Sequence, residues 1–95
     1  MNTYVILRRS GWRNAEELDH AAARSTAVGE EMSDGIRWIR SYVLAESASR
    51  VGTVCIYQAT DAEAIRRHAR AAGLPADEII EVAGTVIVRP DPVNA

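Results

Sequence analysis

Two histidines, one cysteine and three tyrosines are the side chains of this 95-residue chain best suited to bind a metal or take part in acid–base chemistry. His68 is the most informative of them. At about 100° per residue, Ala62, Ile65, Ala69 and Ala72 fall on one arc of a helix, flanked by Ala64 and Ala71. Glu63, Arg66, Arg67 and Arg70 take the other side. His68 lies near the middle of the apolar arc, so its imidazole should point at a sheet or into the edge of a helix–sheet interface. A buried imidazole needs partners for its ring nitrogens. Tyr42, Tyr57 and Cys55 can supply them if their faces turn that way. Two roles stay open: a core histidine satisfied by a tyrosine hydroxyl or a carbonyl, and a ligand or catalytic group.

The other candidates are weaker. His20 lies opposite the apolar stripe of its own helix, with Glu16 one turn before it and Arg24 one turn after. The Glu16–His20 spacing could clamp a metal, and it equally suits ordinary charge pairing on a solvated face. Cys55 sits mid-strand among bulky neighbours and behaves as a small hydrophobe unless an electropositive setting activates it. Trp38, Tyr42 and Tyr57 are the large aromatics of a central hairpin, suited to cross-strand packing, while Trp12 falls in a loop. A Gly-rich phosphate loop, a paired-cysteine knuckle, a nucleophile elbow and a His-Glu-x-x-His helix are all missing from the sequence.

The elements that must position these residues are legible. Tyr4 to Leu7 is an apolar, β-branched run that predicts a first strand, ending at Arg8 and Arg9 and broken by Ser10-Gly11. Asn14-Ala15-Glu16-Glu17 is a capping box. Behind it Leu18, Ala21, Ala22, Ser25, Val28, Gly29 and Met32 form a stripe of small and apolar residues, closed by Ser33-Asp34-Gly35. Ile36 to Ala45 predicts a long strand, with Trp38, Arg40, Tyr42 and Leu44 on one face and Ile39, Ser41 and Val43 on the other. After a loop from Glu46 to Gly52, Thr53 to Ala59 returns, with Cys55 and Tyr57 on one face and Val54 and Ile56 on the other. Thr60-Asp61-Ala62-Glu63 is a second capping box, and Gly73 with Pro75 stops the helix at Ala72. Ile79 to Val88 reads as the last strand, and residues 89–95 as a frayed tail.

Strand, helix, strand, strand, helix, strand is a split pair of β-α-β units. It predicts one α+β domain over residues 1–95, with the ferredoxin-like β-α-β-β-α-β sandwich: an antiparallel sheet with two helices on one face. The strands carry apolar residues on both faces, so the uncovered face should be an interaction surface, and a homodimer through it is the simplest closure.

Composition bounds the partners. The hydrophobic fraction is 47%, enough for a core, and the net charge is −2, with every one of the 11 cationic residues an arginine. Nucleic acid and membrane are therefore not expected partners. One cysteine excludes an internal disulfide and a cysteine-only zinc site. With no signal-peptide pattern at Met1-Asn2-Thr3-Tyr4, the expected location is the cytoplasm.

Three segments together carry a resemblance: Ile36-Arg37-Trp38-Ile39-Arg40-Ser41-Tyr42-Val43, then Cys55-Ile56-Tyr57-Gln58-Ala59, then Ala64 to Pro75 with His68-Ala69 and Gly73-Leu74-Pro75. From Tyr4 to Val88 the chain resembles a family of small bacterial proteins that includes nickel-binding members. The resemblance implies a ferredoxin-like dimer that binds a divalent metal, nickel in the first instance, with His68 as the motif histidine. Tyr42, Cys55 and Tyr57 are the candidates to join it as ligands. The expected function is metal buffering or sensing rather than catalysis. Two alternatives stand beside it: a small cofactor-free, monooxygenase-like enzyme with a pocket lined by His68, Tyr42, Trp38 and Cys55, and an interaction module that uses the open sheet face.

Overall fold

The computed structural model describes residues 1–32 and 34–91. Its elements are β1 (Asn2–Trp12), α1 (Ala15–Glu31), β2 (Ile36–Ala45), β3 (Val51–Ala59), α2 (Ala62–Ala72) and β4 (Glu78–Glu81). The sheet order is β2-β3-β1-β4, and β1 pairs antiparallel with both β3 and β4 while β2 pairs antiparallel with β3. The two β-α-β halves thus interleave, which is the ferredoxin-like α+β arrangement.

Local chemistry sets the helix ends. Asn14 Oδ1 accepts from the Glu17 backbone N–H at 2.9 Å, and Glu17 Oε1 reaches back to the Arg13 N–H at 3.1 Å, one residue before the cap. At α2 the cap is Asp61 rather than Thr60: its Oδ1 accepts from the Ala64 N–H at 2.8 Å. Glu63, freed from any capping duty, pairs with Arg66 and Arg70 instead. Gly73 ends α2 in the left-handed region at φ 68°, with Leu74 N–H on the Ala69 carbonyl and Gly73 N–H on the Arg70 carbonyl. α1 stops at Glu31. Of the expected closing turn, Ser33 lies outside the described residues.

Both helices cover the same sheet face. Tyr4, Ile6, Cys55, Tyr57, Ile36 and Ile65 form the centre of the core. Alternation along β1 and β3 puts Tyr4, Ile6 and Arg8 opposite Tyr57, Cys55 and Thr53 on this inward face.

Three expectations need correction. A β-bulge between Trp38 and Arg40 shifts the register of β2, so alternation breaks at Ile39. Trp38, opposite Tyr57, shares the helix-side face with Ser41 and Val43, while Arg40, Tyr42 and Leu44 share the open face with Ile56 and Val54. Second, β1 does not end at Ser10-Gly11. It bulges there, with Ser10 at φ 47°, and runs on to Trp12, which is buried rather than looped out. Glu46 clamps the bulge by accepting from Arg9 Nε at 2.7 Å and Ser10 Oγ at 2.9 Å. Gly52 lets it cross, since a Cβ there would meet the Arg8 carbonyl at 2.5 Å. Third, β4 closes at Glu81 instead of Val88. Val82 donates the last bond, to the Thr3 carbonyl near the start of β1. Val86, Ile87 and Val88 are largely exposed. Of the expected tail, residues 89–91 carry no strand and 92–95 lie outside the described residues. Among the described residues no helix is long and apolar enough to cross a membrane.

Candidate functional site

Four buried polar side chains, Arg8, Ser25, Thr53 and His68, break the apolar layer between helices and sheet, and two of them hold an unpartnered nitrogen. The first is His68. It projects from the inward arc of α2 and is 1% exposed. Its Nε2 lies 3.0 Å from the Ser25 carbonyl oxygen on α1, and its ring sits 5.6 Å from the Tyr57 ring at a tilt of 55°. A carbonyl can only accept, so Nε2 donates and the neutral tautomer is fixed. Nδ1 has no hydrogen-bond partner. Burial holds the imidazole below its usual pKa, the Arg8 charge adds to this, and the Ser25 bond opposes it. Gly29 of α1 borders the ring: a Cβ there would stand 3.7 Å from Nε2, at ordinary contact distance.

The second is Arg8, also 1% exposed. Its Nε donates to the Pro75 carbonyl at 2.6 Å and its Nη1 to Cys55 Sγ at 2.9 Å. The guanidinium carbon stands 5.9 Å from the centroid of Tyr57, within cation–π range. No carboxylate pairs with it among the described residues, and Nη2 is buried without a partner. Beside it, between α1 and the sheet, lies a cavity of about 150 Å³.

The four expected ligands do not converge. His68 and Tyr57 are in contact, and Cys55 follows on the same face of β3. Tyr57 gives its hydroxyl to a hydrogen bond with Ser25 Oγ at 3.2 Å, and burial pushes its pKa up. Cys55 accepts from Arg8 and donates to Thr53 Oγ1 at 3.2 Å. Tyr42 is on the opposite face because of the β2 bulge, half-exposed, with its hydroxyl donating to Asp91 Oδ2 at 2.8 Å. Of the residues expected to line an enzyme pocket, Trp38 and Cys55 border the cavity, while Tyr42 and His68 do not. His20 is exposed, 4.0 Å from Glu16 Oε1.

Arg8 is the functional-looking residue that the sequence reading missed. The signal was there: Tyr4, Ile6 and Arg8 alternate, so a strand extended by two residues must turn Arg8 inward.

Comparison with known proteins completes the picture. Residues 4–82 match the family of nickel responsive proteins described as SCO4226-like. The fold matches the crystal structure of SCO4226 from Streptomyces coelicolor A3(2) with a TM-score of 0.67 and 26% identity, over 88% of this chain and 99% of that one. Comparison with curated proteins gives no match. The helix pair, the interleaved sheet and the inward histidine all lie within the matched stretch, and the chain belongs to the SCO4226-like family of small bacterial nickel responsive proteins.

Proposed function

We propose that the protein binds nickel, or another divalent transition metal, as a buffer or sensor, with His68 supplying a nitrogen ligand. The observation that carries this reading is the unpartnered Nδ1 of a fully buried imidazole. Its lone pair is free, and the ring is held neutral, which is the form a metal requires. Nickel takes imidazole nitrogen and fills its remaining positions with carboxylate or water oxygen. Membership of a nickel responsive family supports the same chemistry.

The fit to one chain is partial. Among the described residues no three His, Cys, Asp or Glu side chains come together. Cys55 and Tyr57 could join only by releasing Arg8 and Ser25, and the raised pKa of Tyr57 disfavours a phenolate. Water is therefore needed to complete the shell. A cleft bordered by Ser25, Gly29 and Tyr57, which pack against the ring, carries one carboxylate, Glu30, on its rim, while His68 itself does not reach its wall.

A homodimer is a separate part of this proposal, because its face lies on the other side of the sheet from His68. On the open sheet face Ile39, Tyr42 and Ile80 are over two-fifths exposed, beside Val5, Val54 and Ile56. Homodimerisation through this face would bury them. Two measurements test the reading. Calorimetry with nickel chloride at neutral pH should show saturable uptake that falls about tenfold or more in affinity in His68→Gln. Equal binding by parent and variant would remove His68 as the anchor. Sedimentation should give a dimer that Val54→Arg dissociates, and a monomeric parent would remove the dimer.

A further inference from the structure

The cavity beside Arg8 has no place in a nickel reading, and its chemistry is of another kind. A buried guanidinium without a counter-charge is costly, and the cost is normally offset by a carboxylate or another anion. Here Nε and Nη1 are satisfied by neutral acceptors, Pro75 carbonyl and Cys55 sulfur, while Nη2 is buried and unpartnered. Arg8 also lines a cavity of about 150 Å³ whose other walls are mostly apolar, with Trp12, Leu18, Ala22 and Val43 among them. Trp38 and Val43 border the same space and remain 39% and 58% exposed, so it communicates with solvent along the β2 edge. Asp19 stands at the rim, exposed, and turns no carboxylate onto Arg8.

We propose that this cavity binds a small monocarboxylate, its oxygen taken by the free Nη2 of Arg8 and its short apolar body lying between Trp12, Leu18 and Val43. A bare inorganic anion would leave the apolar walls unused, and a neutral apolar molecule would leave the guanidinium unpaired. A carboxylate on a compact hydrocarbon satisfies both. With Pro75 on Nε and Cys55 on Nη1, the contact falls to Nη2. The site is separate from His68, so it stands whether or not the protein takes nickel.

Trp12 and Trp38 both border the cavity, so their fluorescence reports its filling. The test titrates the metal-free full chain with benzoate, propionate and, as the neutral isostere, benzamide. Benzoate or propionate should perturb the emission saturably, with benzamide weaker by about tenfold or more, the loss of one charge-assisted hydrogen bond. Arg8→Met should abolish the preference for the acid. Ala22→Phe keeps Arg8 and fills the cavity, so it should lose both ligands while a nickel titration of the same variant is unchanged. Equal affinity for benzoate and benzamide, undiminished benzoate binding in Ala22→Phe, or no response to either acid at millimolar concentration would each overturn the proposal.

Discussion

The two helices rest on one sheet and fill the space beneath them very differently. α2 has 11 residues and buries Ala64, Ile65, His68, Ala69 and Ala72, whereas α1 has 17 and buries only Ala21 and Ser25. Size explains the contrast. α2 brings one large aliphatic side chain and one imidazole to the sheet, and these occupy the gap. The inward stripe of α1 is Leu18, Ala21, Ala22 and Ser25. It is small enough to lie close to α2, so that Arg24 Nε reaches the Ala72 carbonyl at 3.1 Å and Ser25 reaches His68. It is too small to fill the space over Arg8 and Cys55. A tight half and a hollow half result, each with one buried nitrogen left unpaired.

Core truncation should break that comparison most sharply. Ile65→Ala removes a side chain with no exposure and should cost about 2–5 kcal/mol in urea denaturation. Leu18→Ala enlarges space that already exists and should cost under about 1.5 kcal/mol. Equal losses would mean that α1 packs as tightly as α2. The helix ends come next. Removing the α2 cap with Asp61→Ala should cost about 1 kcal/mol. Gly73→Ala should cost about the same through its left-handed backbone alone, since a Cβ there meets nothing within 4 Å.

The smallest effect is a pH dependence. The native His68 ring is held below the usual 6.5, so the unfolded chain takes up its proton first as pH falls. Stability of the metal-free protein should be full above about pH 6.5 and decline below it, levelling once the pH passes the depressed native value. The slope cannot exceed about 1.4 kcal/mol per pH unit from one site. Denaturation of His68→Gln across the same range should be flat by comparison, and an unchanged slope would assign the titration to another group.

Much of this was legible in the sequence, for physical reasons that also mark the limit. Period-2 and period-3.6 patterns, with Asn14 and Gly73, placed six elements in order and turned His68 inward, while the second capping box was read one residue too early. Family resemblance pointed to nickel from the segments around Trp38, Tyr57 and His68. Bulges were invisible, because a single inserted residue leaves composition unchanged while it flips every later side chain. That is why Tyr42 was expected beside His68 and stands on the other face. Arg8 was hidden by habit of type: a charged residue at the end of an apolar run reads as a strand terminus, and only the Ser10 bulge, held by Glu46 and crossed at Gly52, carries β1 past it. β4 stops at Glu81, well short of the apolar run from Ile79 to Val88, and the weak point that run contains, Gly84, lies just beyond the stop.

The claim that matters most is the role of the inward imidazole. Crystals soaked in a nickel salt and measured at the nickel absorption edge would show where the metal sits. The account expects an anomalous peak at coordination distance from Nδ1 of His68, with Nε2 still on the Ser25 carbonyl. Nickel bound only at the exposed His20 and Glu16, with none beside His68, would contradict it.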